Sequence, residues 1–195
     1  MARGPKGFSE EEKTVLREKL CIECEKRWAL FGYKKTSIGE LTSAVGISAG
    51  AFYLLFSSKE DFFCETLVRV RTHLKQKIME IIQTNRSKEG FAAALKWHFQ
   101  EFERAPFLYD LGSPDFMAFL NKIPKDRVDE MQFDSKAFFF EMVDASNLTF
   151  KIDQEKVYEV INTLLYTVEL KKRAPYDSGW VFEFLVSNVM DALFK

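Results

Sequence analysis

The stretch Thr36–Asp61, TSIGELTSAVGISAGAFYLLFSSKED, carries the strongest structural signal in this chain. Its first apolar residues recur at helical spacing, and Gly46 then supplies a left-handed residue that can end a helix sharply. Ser48 can cap the next helix, whose first turn contains only small residues. The pattern predicts two short helices joined by a tight turn, which is a helix-turn-helix.

Serine and glutamate three residues apart mark the starts of the neighbouring helices, because such a pair forms a capping box. Ser9 with Glu12 predicts a long helix before the motif, which continues to Gly32. Two further pairs predict the start of the first motif helix and of a long helix that begins at Lys59: Ser37 with Glu40, and Ser57 with Glu60.

The second motif helix begins with small residues, so its backbone can come close to base edges in a DNA major groove. A tyrosine and a lysine further along can donate hydrogen bonds to phosphates. The alternative is an ordinary helical hairpin, which the turn and the caps alone would favour. The predicted DNA-binding residues are Lys35, Thr36, Ser48, Ala49, Gly50, Tyr53 and Lys59.

These residues resemble the TetR family of bacterial transcription regulators. The resemblance covers roughly the first third of the chain, which is shorter than a typical domain of about 100–200 residues. The resemblance implies an N-terminal three-helix DNA-binding head and a variable C-terminal helical body that binds an effector and dimerises. One departure is Gly39, which weakens the first motif helix by about 1 kcal/mol relative to alanine. The matching residues are Gly32, Tyr33, Thr36, Gly46, Ile47, Ser48, Tyr53, Phe56, Lys59 and Glu60.

Composition is compatible with a small cytoplasmic regulator. The net charge of −1 gives no general support to nucleic-acid binding, so any basic surface must come from the placement of individual side chains. No apolar run approaches ~18 residues, and the N-terminus has no apolar signal region. The pair Cys21 and Cys24 lacks a second ligand pair, so we interpret it as buried structure and expect no metal or cofactor.

Helical patterns continue to the C-terminus, and no segment shows the residue pattern of a β-strand. We therefore predict an all-α protein of about nine helices, with a helix-turn-helix head over residues 1–61 and an effector-binding and dimerisation body over residues 62–195. The sequence GISAG at Gly46–Gly50 matches the G-x-S-x-G elbow of hydrolases, but a helix precedes it where that elbow needs a strand. An enzyme is therefore not expected.

The region from Trp97 to Phe140 is rich in aromatic residues and is interrupted by prolines and Gly112. One interpretation is a core packed with phenylalanine. The other, which the resemblance implies, is a cavity for a small and largely apolar effector. The residues proposed to line it are Trp97, His98, Phe102, Tyr109, Phe116, Phe119 and Phe139.

The last two predicted helices, 154–173 and 178–194, carry apolar stripes wider than packing on their own core requires. They predict a two-fold interface of four helices, although they could instead complete the core of a monomer. The predicted interface residues are Val157, Ile161, Leu164, Val168, Val181, Leu185 and Val189.

Together these features predict a homodimeric, sequence-specific regulator of transcription that binds a palindromic DNA operator. The resemblance implies a repressor that a small molecule releases from DNA. The competing interpretation is a small helical enzyme, or a protein that binds lipids or small molecules without recognising an operator.

Overall fold

The computed structural model describes residues 8–109, 112–131, 133–168 and 177–195, with the side chains of 109, 126, 129 and 130 excluded. Within these ranges the chain forms helices and no strand, which confirms the predicted all-α class. A single bridge pairs Phe150 with Phe194. The helices are α1 (Glu10–Lys35), α2 (Ile38–Val45), α3 (Ala49–Phe52), α4 (Lys59–Thr84), α5 (Lys88–Arg104), α6 (Pro106–Tyr109), α7 (Pro114–Leu120), α8 (Lys125–Glu130), α9 (Ser135–Ala145), α10 (Gln154–Tyr166) and α11 (Ser178–Leu193).

The chain forms two compact units that are not continuous in sequence. Unit 1 combines the chain up to Arg71 with Ala105–Gln132, and unit 2 combines Thr72–Arg104 with Phe133–Lys195. Unit 1 thus contains the predicted head together with the start of α4 and all of α6, α7 and α8. The functional boundary at residue 61 stays a prediction.

Side-chain caps define the helix starts in unit 1. At α1, the Glu12 amide donates to the Ser9 hydroxyl at 3.2 Å and the Ser9 amide donates to the Glu12 carboxylate at 2.8 Å. The predicted box at Ser57 is wrong by one residue, because Ser58 accepts the Asp61 amide at 2.9 Å. The Ser57 hydroxyl instead donates to the Asp61 carboxylate at 3.1 Å.

The core of unit 1 is an aromatic cluster around Trp28, which is fully buried on α1. Its ring centroid lies 4.8 Å from that of Phe63, 5.1 Å from that of Phe119 and 6.0 Å from that of Phe116. Large buried rings contribute much of the packing energy of a small core. Since Phe116 and Phe119 belong to α7, this cluster holds α7 on α1.

Unit 2 has a separate aromatic core. Phe99 of α5 stacks on Phe182 of α11 with ring centroids 4.1 Å apart. Phe91 contacts Phe194 at 5.5 Å and Phe139 at 6.1 Å, again between centroids. The charged pairs Lys88–Asp191 and Lys96–Glu183 flank the packing of α5 against α11 at the surface.

Candidate nucleic-acid interface

The helix-turn-helix has the turn chemistry that its sequence predicts. Gly46 ends α2 with φ 79° and ψ 32°, a left-handed conformation that favours glycine. The Ile47 amide then donates to the Thr42 carbonyl at 3.0 Å, which satisfies a carbonyl of the last turn of α2. Ser48 caps α3, because its hydroxyl accepts the Ala51 amide at 3.1 Å.

Five exposed residues form the outer face of α3: Ser48, Ala49, Gly50, Tyr53 and Leu54. The side chains of Tyr53 and Leu54 are 59% and 65% exposed. Backbone hydrogen bonds continue the helical turn to Phe56. Residues four apart therefore share one side, so Ala49 aligns with Tyr53 and Gly50 with Leu54.

Leu54 was not among the residues predicted from the sequence. The signal that identifies it is the burial pattern of its neighbours, because Phe52, Leu55 and Phe56 all face the core. At helical spacing these three residues define the inner side of the turn, which leaves Tyr53 and Leu54 on the outer side.

Thr36, a predicted DNA contact, is fully buried in the structure. Its hydroxyl donates to the Gly32 carbonyl at 2.8 Å, and its amide donates to the Tyr33 carbonyl at 3.3 Å. Thr36 thus closes the end of α1 rather than presenting a hydroxyl to DNA. Lys35, next to it, is exposed.

The side chain of Lys59, the predicted phosphate donor, packs against Tyr33 inside unit 1. Its ammonium donates to the Tyr33 carbonyl at 3.1 Å and lies 4.4 Å from the centroid of the Tyr33 ring. Burial lowers the pKa of Lys59. One of its three N–H donors is therefore used inside the protein, so Lys59 supports the geometry of the motif.

Residues 32–36, which we call the hinge, link α1 to α2. Gly32 has φ 80° and ψ 172°, so the helix is interrupted there. The Asp115 carboxylate accepts the Tyr33 amide at 2.6 Å and the Lys34 amide at 3.1 Å. Asp115 belongs to α7 and lies 82 positions after Tyr33 and 81 after Lys34 in the chain.

The start of α4 holds the other side of the hinge. The Tyr33 hydroxyl donates to the Glu60 carboxylate at 2.5 Å, and Lys122 approaches the same carboxylate at 4.0 Å. Burial, together with the hydrogen bond to Glu60, raises the pKa of the Tyr33 phenol. Tyr33 therefore remains a neutral donor, and the entry to the motif is held from α7 and from α4.

The residues predicted to line an effector cavity are divided between the two units. Phe116 and Phe119 belong to the core of unit 1, because they contact Trp28. This placement corrects their assignment to a cavity in the body. Trp97, His98, Phe102 and Phe139 lie in unit 2, and the side chain of Tyr109 is outside the described residues.

His98 is the polar group of unit 2 with the most unusual surroundings. Among the described residues its Nε2 atom is buried and has no hydrogen-bond partner, although the residue keeps some exposed surface. Its ring centroid lies 4.5 Å from that of Phe102. Burial lowers the pKa of His98 to about 4, so the imidazole is neutral at physiological pH.

The predicted dimer residues on α10 and α11 are only partly accessible. Val157 and Ile161 are buried inside unit 2 of the single chain, and the other five are half-buried. The large exposed apolar residues of these helices are Val160, Tyr166, Trp180 and Phe184. Trp180 and Phe184 stack on each other with ring centroids 5.5 Å apart, and they are 62% and 53% exposed.

The cysteines are all buried, and burial raises the pKa of Cys21 and of Cys64 to about 11. Thiols with raised pKa values are poor nucleophiles and poor metal ligands. Within the described ranges, no three His, Cys, Asp or Glu side chains cluster as a metal site would require. No described helix combines the length and apolar character needed to cross a bilayer.

Residues 26–66, which run from α1 through the motif into α4, match the family model described as bacterial regulatory proteins, tetR family. This part of the chain is therefore similar to the DNA-binding region of TetR-family regulators. No curated protein sequence matches the chain significantly. The family match covers the hinge, the Gly46 turn and the outer face of α3, which are the features described above.

Several solved structures share the fold over nearly the whole chain. NemR of E. coli in its reduced form has 19% identity and a TM-score of 0.69, covering 89% of this chain and 97% of that one. A putative TetR-family regulator from Mesorhizobium loti has 14% identity, a TM-score of 0.65 and coverage of 96% and 100%. NalD of Pseudomonas aeruginosa has 15% identity, a TM-score of 0.55 and coverage of 95% and 99%.

Proposed function

We propose that this protein is a TetR-family regulator, dimeric and sequence-specific, that binds a palindromic operator through the outer face of α3. The observation that carries the proposal is the combination of the Gly46 turn with small exposed residues at the start of α3. Ser48, Ala49 and Gly50 let the backbone approach base edges, and Tyr53 can donate to a phosphate.

The exposed apolar residues of α10 and α11 support a homodimer. A stacked Trp–Phe pair facing water is costly, and contiguous exposed apolar surface is typical of protein interfaces. We assign the centre of the interface to Trp180 and Phe184, with Val181, Leu185 and Val189 beside them on α11. Two heads on one axis would then read successive major grooves about 34 Å apart.

We further propose that the protein is a cytoplasmic repressor released by a small effector bound in unit 2. Within the described residues, His98 offers a buried nitrogen without a partner among aromatic side chains. Such a group suits a largely apolar molecule that has one hydrogen-bonding atom. NalD, which shares the fold, is described as the secondary repressor of a multidrug efflux pump.

Selection from random duplex DNA with the full chain tests operator recognition. We expect an enriched site with two-fold symmetry, bound at least a hundredfold more tightly than scrambled DNA at physiological salt. Gly50→Leu should shift or abolish the enrichment, while Ile152→Glu, in an exposed loop of unit 2, should not. Equal binding of the wild type to enriched and scrambled sites would contradict the proposal.

Native mass spectrometry of the purified protein tests the effector. We expect a co-purified small molecule, or one found by screening, to bind the wild type and to bind His98→Leu much more weakly. Operator binding without the molecule should be the same in both proteins. A molecule that binds the wild type and His98→Leu equally would show that His98 is not part of the effector-binding site.

A further inference from the structure

The segment Ala105–Met131 is part of unit 1, although the chain enters it from α5 and leaves it toward α9, which are both helices of unit 2. It packs on α1 through Phe116 and Phe119. It also contacts α4, because Arg127 pairs with Asp61 at 2.6 Å and the Met131 carbonyl accepts from Arg71. Because the segment is joined through the chain to α5 and α9, a rearrangement of either helix can displace it, and this displacement reaches the elements that hold the DNA-binding motif.

One side chain of this segment acts directly on the hinge. The backbone of α1 leaves helical geometry at Gly32, so amides just after the kink can need acceptors from elsewhere. The two carboxylate oxygens of Asp115 accept the amides of Tyr33 and Lys34, one each. Hydrogen bonds to a carboxylate are stronger than those between neutral groups, so this contact holds two consecutive residues firmly.

Gly32 and Asp115 are also sterically matched. A Cβ atom on Gly32 would lie 2.6 Å from Asp115 Oδ2, 2.8 Å from Cγ and 3.0 Å from Oδ1. Glycine is thus required at position 32 both for its positive φ and for the space that the carboxylate occupies. If the carboxylate leaves, a residue with wide conformational freedom stands four positions before the buried Thr36.

We propose that Asp115 is a positioning residue for DNA recognition and the contact through which segment Ala105–Met131 controls the motif. With the carboxylate in place, the hinge has one conformation and α2 and α3 start from a fixed point. When α7 moves, two amides lose their acceptor and Gly32 can change its φ and ψ. The inference rests on the proposed function, because it explains how operator binding would be switched.

The first test compares Asp115→Asn with the wild type on the selected operator and on scrambled DNA. Asparagine keeps one acceptor oxygen but replaces the other with a donor, so it cannot accept both amides. We expect operator affinity to fall at least tenfold and binding to scrambled DNA to stay equal or tighten. A purely electrostatic role predicts the opposite at the operator, because removing a negative charge favours DNA.

Glu10→Gln is the matched charge control, since it removes one carboxylate from an exposed pair with Lys13 in the same unit. It should not weaken operator binding.

A second pair of variants tests the steric match. Gly32→Ala should reduce operator affinity, and adding Asp115→Ala should cause little further loss, because each change disrupts the same contact.

Residue-resolved hydrogen exchange gives a readout that does not depend on DNA. The amides of Tyr33 and Lys34 should exchange at least tenfold faster in Asp115→Asn than in the wild type, while the Trp28 amide keeps its protection. Loss of protection at Trp28 as well would mean that unit 1 has simply been destabilised, and this would overturn the positioning role.

Equal operator affinity of Asp115→Asn and the wild type would also overturn the inference while leaving the proposed function intact. A wild type that selects no DNA sequence would instead contradict the proposed function. The inference that Asp115 controls operator binding would then be contradicted as well.

Discussion

The outer face of α3 in unit 1 and the outer face of α11 in unit 2 both expose large side chains, but their chemistry differs. On α3, three small residues lead to Tyr53 and Leu54, so a flat and partly polar surface is presented. On α11, Trp180 and Phe184 are stacked and face water. Small residues suit close approach to base edges, whereas paired aromatic rings suit a protein interface.

The hinge of unit 1 and the surroundings of His98 in unit 2 also differ in how their polar groups are satisfied. The contrast concerns these two places only, since the buried Trp28 Nε1 atom in the core of unit 1 also lacks a partner among the described residues. In the hinge of unit 1, the Tyr33 and Lys34 amides and the hydroxyls of Tyr33 and Thr36 all have acceptors. In the described part of unit 2, His98 Nε2 has none. A satisfied network favours one geometry, while an unsatisfied group favours binding of something that supplies the missing partner.

The largest expected effect comes from removing the apolar face of α11. The double change Trp180→Glu and Phe184→Glu should give monomers, because facing carboxylates would repel across a two-fold axis. Operator affinity should fall at least a hundredfold, since each head would then bind alone. Sedimentation and anisotropy titrations on the same samples measure both quantities.

Ile152→Glu is the control for that experiment, because Ile152 is exposed in unit 2 but lies before α10. It should leave both the dimer and operator binding unchanged. If the double variant remains a dimer, the contrast between the two faces is misassigned and α11 is not the interface.

The second prediction concerns His98 and the stability of unit 2. The folded pKa is lowered to about 4 from an ordinary value of 6.5, so the unfolded chain binds the proton more readily. The stabilisation is therefore complete above about pH 6.5 and is lost as the pH falls toward 4, by roughly 3 kcal/mol at most. Urea unfolding at several pH values should show this loss.

His98→Leu should reduce the loss of stability between pH 6.5 and 4, because the contribution of the imidazole is gone. Carboxylates with lowered pKa values, such as Glu60 and Asp191, should still contribute at the acid end. His73→Gln, at an exposed position, should leave the wild-type profile unchanged. A wild-type profile that is already flat between pH 6.5 and 4 would show that the imidazole reaches solvent or a partner.

Local geometry could be predicted from the sequence, while contacts between distant segments could not. The Gly46 turn and the caps at Ser9, Ser37 and Ser48 depend on residues three or four apart, so the local sequence is sufficient to identify them. The one-residue error at Ser57 arose because Ser58 offers an equivalent hydroxyl.

Long-range packing explains the other differences. Phe116 and Phe119 follow the same apolar pattern whether they line a cavity or pack on Trp28, so only the fold assigns them to unit 1. Asp115 contacts a hinge far away in sequence, and no local signal indicates it. The motif places Thr36 correctly along the chain, but its spacing does not reveal that the hydroxyl is buried.

The third prediction sharpens the assignment of the outer face of α3. Leu54→Ala should change which operator bases are preferred, because an exposed aliphatic side chain can contact a thymine methyl group. We expect a loss of about tenfold on the wild-type operator, within the usual cost of one mismatched base pair. Binding to scrambled DNA should change little. A uniform loss on all sequences would place Leu54 outside the groove.

The smallest expected effect is that of Tyr53→Phe, which removes only a hydroxyl. The ring should keep its edge-to-face contact with Phe52, where the centroids are 5.1 Å apart, so the fold should be unaffected. A neutral hydrogen bond contributes about 1 kcal/mol, so a loss of a few-fold in affinity is expected. Because phosphate contacts carry no base information, the loss should be equal on operator and scrambled DNA. Anisotropy titrations of both duplexes, with Leu54→Ala measured alongside, check this. A loss confined to the operator would show instead that the Tyr53 hydroxyl contacts a base, and the two neighbouring residues would then share the reading of sequence.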